Sequence, residues 1–196
     1  MSYVNTIAQE LMESAWVKEQ TIACCAADIA AVAERLVDVL RGGGTIFFCG
    51  NGGSAGDAQH LAAELAGRYR FDRRPLAALA LTANTSTLTA IGNDYGYARI
   101  FARQLAGVGR PGDALIGIST SGNSENVVEA FLQAKAAGIL TVGLVGDPGG
   151  RMAALADLAV KVPSGSTPRI QEAHIAIGHI LCGILEQELC GNGSHA

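Results

Sequence analysis

Apolar positions recur every three or four residues from Val4 to Leu40, taking in Ile7, Leu11, Ala15, Ile22, Ile29, Val32, Leu36 and Leu40. That spacing predicts helix throughout, with a break allowed near Cys25–Asp28 that would divide it in two. Past Gly42-Gly43-Gly44 the pattern changes to short unbroken apolar runs: Thr45–Phe48, Leu76–Leu81, Ala114–Ile118, Ile139–Val145 and Leu158–Val162. Runs without polar alternation suit strands buried on both faces. Between them lie amphipathic stretches. One carries Ala58, Leu61, Ala62 and Leu65 after Ser54, a good N-cap residue; the others cover Thr82–Ala90, with a capping hydroxyl, Val127–Ala137 and Arg151–Ala156. A last helix runs from Pro168, favoured in a first turn, to about Leu189. Ile91–Gly96 reads as a turn by composition, and the tail Gly191–Ala196 as disordered.

Strands alternating with helices through short turns predict an α/β fold. We expect a three-layer, Rossmann-like sandwich in which a roughly five-stranded parallel sheet has helices on both faces. Residues 1–196 would form one domain, with 1–40 an N-terminal helical segment.

Composition narrows the partners. The chain is 49% hydrophobic and 16% charged with a net charge of −4, which argues against nucleic acid. Its one basic cluster, Arg68–Arg74, reads as a solvated loop in preference to an anion-holding one. The longest uncharged run, Pro75–Asn93, is broken by polar residues, so no membrane span is expected. No basic-then-apolar leader opens the sequence. Five cysteines without metal-type spacing fit reduced thiols and a cytoplasmic location. So sparsely charged a surface also suggests burial between subunits.

The candidate chemistry lies at two strand-to-helix corners. Gly50-Asn51-Gly52-Gly53-Ser54-Ala55 fits G-x-G-x-x-G/A, but the dinucleotide fingerprint also needs an acidic residue ending the second strand. Thr82-Ala83-Asn84 stand there instead, so no nucleotide cofactor is expected. The glycines and the following helix start suit an anion such as phosphate. His60 and Glu64, four residues apart, share one helix face and can share a proton or a metal ion. The second corner, Ser119-Thr120-Ser121-Gly122-Asn123-Ser124, holds four hydroxyls where capping uses one, and reads as a phosphate cradle. In parallel sheets ligands bind at the carboxyl ends of the strands, so both corners would converge on one phosphorylated ligand. The last helix carries Gln171, Glu172, His174 and His179. The two histidines lie on nearly opposite faces, and spacing alone does not choose between them. Asn93-Asp94 are turn formers or substrate contacts.

Four segments together carry a resemblance: Cys49–Ser54, Ala90–Gly96, Gly117–Ser124 and Arg169–His174. They closely resemble the phosphoheptose isomerases, a family of sugar-isomerase (SIS) domain proteins, and the likeness spans essentially the whole chain. It implies an SIS-type fold and conversion of sedoheptulose 7-phosphate to glycero-manno-heptose 7-phosphate, the first step towards ADP-heptose for the lipopolysaccharide core. It implies that Ser119, Thr120, Ser121 and Ser124 hold the phosphate, and that Asn51, Gly52, Gly53, Asn93, Asp94 and Gln171 contact the sugar. Glu64 would be the base and His179 the acid. Zinc would sit on His60, Glu64, Gln171 and His179, and the protein would be a homotetramer with sites between subunits.

These residue types suit the reaction. Moving a carbonyl from C2 to C1 takes a proton from C1 and returns it at C2 through a cis-enediol, which a carboxylate can do, while an imidazole shuttles the proton between oxygens. A metal could polarise the carbonyl instead, although glutamine is a poor zinc ligand. A non-catalytic SIS relative that binds the replication initiator lacks the carboxylate and histidine, so their presence here favours an enzyme. An isomerase for another phosphosugar is the further alternative, because sugar length is read by pocket depth.

Overall fold

In the computed structural model, which describes residues 2–191, five strands form one parallel sheet in the order β2-β1-β3-β4-β5. The strands are β1 (Ile46–Gly50), β2 (Ala78–Ala80), β3 (Ala114–Ser119), β4 (Leu140–Gly146) and β5 (Leu158–Val162). The chain lays β2 on one side of β1 and β3 on the other, so the strand order reverses between β1 and β3. At such a reversal the loops leaving the two strands diverge and open a crevice at their carboxyl ends.

Side chains alternating along the strands feed two cores. On one face Ile46, Phe48, Ile116 and Leu144 pack with α1 (Tyr3–Arg41), α2 (Gly53–Ala66) and α7 (Thr167–Cys190). On the other, Phe47, Leu115 and Val145 pack with α3 (Thr85–Tyr95), α4 (Ile100–Val108), α5 (Glu125–Ala136) and α6 (Gly150–Leu155). Phe131 of α5 is fully buried there, a contribution of roughly 1.5–3 kcal/mol. The expected three layers are present.

Several local expectations give way to longer-range packing. Tyr3–Arg41 forms one helix without a break, 39 residues long and thus roughly 58 Å. Its buried stripe starts at Ser14, Val17, Thr21 and Cys25, while Ile7, Leu11 and Ile22 of the expected stripe are exposed. Tyr3, Leu11 and Trp16 are 88%, 66% and 55% exposed. Ser54 is not the N-cap of α2: Gly52 is, with φ +54°, and no side chain caps the helix. Strand β2 keeps only three residues of Leu76–Leu81 and is half-exposed, as befits an edge. An amide, not a hydroxyl, caps α3: Asn84 Oδ1 accepts from Thr87 N at 3.0 Å. From that cap the helix runs on through Tyr95, so Ile91–Tyr95 is its last turn and not a loop. A 3₁₀ turn (Tyr97–Arg99) and α4, for which the sequence reading assigned no element, follow. The predicted disorder of Gly191–Ala196 falls, beyond Gly191, outside the described residues.

The Arg68–Arg74 cluster is also not a purely solvated loop. Arg73 and Glu186 of α7 form an ion pair at 3.1 Å, with side chains only 2% and 1% exposed. Glu186 accepts as well from the backbone N–H groups of Tyr69 and Arg70, both at 2.8 Å. Arg73 donates to the carbonyls of Glu64, Leu65 and Gly67, which end α2 without a capping side chain of their own. A charge-assisted clamp thus holds the end of α2 against α7. Removing one partner would strand the other in the interior, at about 3–5 kcal/mol.

His174 sits on the inner face of α7 with neither ring nitrogen hydrogen-bonded. Burial pushes its pKa from 6.5 down to about 4. The folded protein therefore binds this proton less readily than the unfolded chain. Stability from neutral His174 is complete above pH 6.5 and is lost as the pH falls towards 4, by up to about 3 kcal/mol. Urea midpoints measured from pH 7 to 4.5 should fall for the parent and fall less for His174→Gln.

Candidate functional site

The crevice between β1 and β3 gathers the two corner loops. Gly50 pairs with Ile118 across the two strands, so Asn51-Gly52 leaves β1 beside the point where Ser119 ends β3. The bend into α2 needs glycine at position 52. Gly52 has positive φ, and a Cβ on Gly53 would come within 2.7 Å of Gln171 Nε2. Gln171, on the first turns of α7, therefore lies directly over the start of α2.

On the β3 side the hydroxyls face one another. Ser119 Oγ lies 2.9 Å from Ser124 Oγ and 3.5 Å from Ser121 Oγ. Ser124 is the N-cap residue of α5, yet its hydroxyl makes no capping bond. The first turn of α5 is thus left without a side-chain cap beside a cluster of neutral donors, an arrangement suited to an anion. The Thr120 carbonyl accepts from Gly146 N, and Asn123 donates to the Ser121 carbonyl and accepts from Arg151 N. These bonds fix the loop from behind.

Helices α2 and α7 pack closely enough to bring three ligating groups together. A Cβ on Gly178 would fall 2.5 Å from Leu61 Cδ1, so only glycine allows this approach. The neighbouring residues then meet. His60 Nε2 and His179 Nε2 are 2.8 Å apart, and His60 Nε2 lies 3.3 Å from Glu64 Oε1. Ligand atoms of His60, Glu64 and His179 all lie within 4.8 Å of one another. Of the two histidines on α7, His179 reaches this group while His174 faces the core. Two imidazole nitrogens so close require a proton or a cation between them. Two nitrogens and a carboxylate oxygen fit a divalent ion such as zinc in type and spacing.

Asn93 and Asp94 stand apart from that group. Asn93 Nδ2 donates to Asp94 Oδ1 at 2.7 Å, and among the described residues neither side chain bonds to His60, Glu64 or His179. They lie instead at the end of α3, just before Tyr97, whose hydroxyl donates to Asn51 Oδ1 at 3.0 Å.

Three further residues belong to the site and were not picked out by the sequence reading. Asp57 is one helical turn before His60; Oδ2 is buried without a partner, and burial raises its pKa against the opposing pull of His60 and His179. Its i, i+3 spacing from His60 was the available signal. Tyr69 stacks on His179, ring centroids 5.7 Å apart and 17° from parallel, and only the tertiary fold brings them together. Asn126 pairs with Asn51 across the crevice, again without local signal.

A family profile for the SIS domain matches residues 11–146. A phosphoheptose isomerase of Rhodospirillum rubrum is 57% identical over 166 residues, covering 85% of this chain and 88% of that protein. One from a Roseiflexus species is 50% identical over 188 residues, covering 96% and 95%. Among solved structures, phosphoheptose isomerase GmhA from Neisseria gonorrhoeae superposes with a TM-score of 0.90 at 42% identity, over 95% of this chain and 100% of that one. A phosphoheptose isomerase from Francisella tularensis gives 0.92 at 37% identity, over the same shares. Both the profile, over most of the chain, and relatives at half identity or more along nearly its full length lead to one assignment: the chain belongs to the SIS-domain family of phosphoheptose isomerases.

Proposed function

We propose that this chain is an aldose–ketose isomerase converting sedoheptulose 7-phosphate to D-glycero-D-manno-heptose 7-phosphate. The observations that carry the reading are a hydroxyl-lined anion cradle at the end of β3 and a His60–Glu64–His179 group held between α2 and α7. Glu64 and His179 meeting there favours an enzyme over a non-catalytic binding relative. Turnover of sedoheptulose 7-phosphate, compared with shorter ketose phosphates, tests the assignment and its chain-length preference.

In this reading Ser119, Thr120, Ser121 and Ser124 hold the phosphate, while Asn51, Gly52, Gly53, Asn93, Asp94 and Gln171 line the sugar. Glu64 takes the proton from C1 of the ketose and returns it at C2 of the enediol. His179 carries the second proton between the two oxygens, a task open to an imidazole, which can both donate and accept a proton. His60, Glu64, Gln171 and His179 would hold zinc, which when bound would polarise the carbonyl and stabilise negative charge on oxygen. Assembly into a homotetramer is supported by the exposed apolar residues of α1 and by an apolar groove between α1 and α7, lined by Ile22, Ile29, Ile177 and Ile180. Five unpaired thiols and the absence of any helix long and apolar enough to cross a membrane, among the described residues, are compatible with a cytoplasmic location.

Glu64→Gln keeps the shape and removes the base, so kcat should fall by about 10²–10⁴-fold with the thermal midpoint little changed. In deuterated water the parent should place deuterium at C2 of the product; wild-type turnover in this variant would rule the mechanism out. Ser124→Ala removes a hydrogen bond to a charged group, about 1.5–3 kcal/mol, and should lower kcat/KM roughly ten- to hundredfold, mainly through KM. Inorganic phosphate should compete with substrate in the parent and less well in the variant. Elemental analysis should find zinc at one per chain in the parent and little in His60→Ala.

A further inference from the structure

Asn126 has no place in the chemistry described so far, yet it is 3% exposed at the second position of α5 and joins the two halves of the crevice. Its Nδ2 donates to Asn51 Oδ1 at 2.8 Å, and Asn51 Nδ2 donates back to Asn126 Oδ1 at 2.9 Å. Residues 75 apart in the chain thus form a closed amide pair. The Asn side-chain torsion next to the amide is broad and roughly two-fold, so an isolated Asn51 at the tip of a glycine turn would not hold one orientation. Two bonds from Asn126 and a third from the Tyr97 hydroxyl hold it, and occupy both acceptor positions of Oδ1. One N–H of Asn51 is left for a ligand oxygen.

We infer that Asn126 is a positioning residue for the isomerase reaction: its amide pair with Asn51 fixes the glycine turn against the start of α5 and aims the Asn51 amide at the sugar. This rests on the isomerase reading, in which Asn51 contacts the sugar end of the substrate and the hydroxyl loop its phosphate. Asn126 acts through Asn51 and not through the phosphate cradle, although it lies only two residues beyond Ser124. Tyr97, 65% exposed, is the lesser support.

The test compares Asn126→Ala, Asn126→Asp and Tyr97→Phe with the parent, each checked for folding by thermal melt. Asn126→Ala should lower kcat about ten- to hundredfold, the scale on which misplacement by an ångström acts. Competition by inorganic phosphate should stay at the parent's inhibition constant. Asn126→Asp reads the pairing itself. As a carboxylate it can accept from Asn51 Nδ2 but sets an oxygen against Asn51 Oδ1; protonated, it restores both bonds. Its activity relative to the parent should therefore rise as pH is lowered from 8 to about 5, approaching the carboxyl range. Tyr97→Phe should lose less than Asn126→Ala. Parent-like kcat in a folded Asn126→Ala would overturn the proposal. So would an equal weakening of phosphate inhibition, or a pH-independent ratio for Asn126→Asp, the latter deciding the matter even where Asn126→Ala fails to fold. A parent without turnover on sedoheptulose 7-phosphate would overturn the isomerase reading and this role with it, whereas an active parent with any of the contrary variant results overturns this role alone.

Discussion

One missing methyl sets the distance on which the site depends. Because Gly178 has no Cβ, Leu61 of α2 occupies the space where one would stand, and α7 settles against α2 at a separation that a larger residue would forbid. The residues flanking that contact, His60 and His179, are thereby forced within hydrogen-bond distance although neither could find the other from its own helix. Farther along α7 the Arg73–Glu186 pair locks the same two helices again. The histidines thus lie on a pair of helices fastened at two points, and their approach is a property of backbone packing more than of side-chain attraction.

The crevice divides its labour between elements. The anion-suited loop belongs to β3 and α5, while the titratable groups belong to α2 and α7 on the opposite face of the sheet. The only floor they share is the pair β1 and β3, where strand order reverses. The Asn51–Asn126 pair is the direct side-chain tie between these halves.

The sequence disclosed the parts of this architecture that depend on burial. Strands β1, β3, β4 and β5 lie between two layers of helices, and so read as unbroken apolar runs. Strand β2 also lies in an unbroken apolar run, but at the edge only three of its residues pair and they are half-exposed, so the run overstates both its length and its burial. Asn93 and Asp94 carry turn chemistry, yet a helix already capped by Asn84 runs through them. The first half of α1 misled in the other direction, since its apolar spacing is real but Ile7 and Leu11 do not pack into this chain's own core. In the site, His60 and Glu64 were legible because they stand on one helix at a fixed interval. Spacing did not separate His174 from His179; that choice came only from the family resemblance. Asp57, Tyr69, Asn126 and the solvent-excluded Arg73 take their meaning from segments far away in the chain, which no local period encodes.

The two borders of the sheet have a consequence for how copies of the chain can meet. On the outer side of β5, the Val162 carbonyl accepts from Asp147 N towards β4, so the Lys161 carbonyl, next in alternation, faces outward. There it is met by the Cys25 thiol of α1 at 3.1 Å. At the other border β2 offers only three residues for pairing. With one border met by α1 at the Lys161 carbonyl and the other only three residues long, the sheet offers little edge for extension by a foreign or sister chain. A mode of clumping open to exposed sheets is thereby disfavoured at one border by a covering helix and at the other by an abbreviated strand.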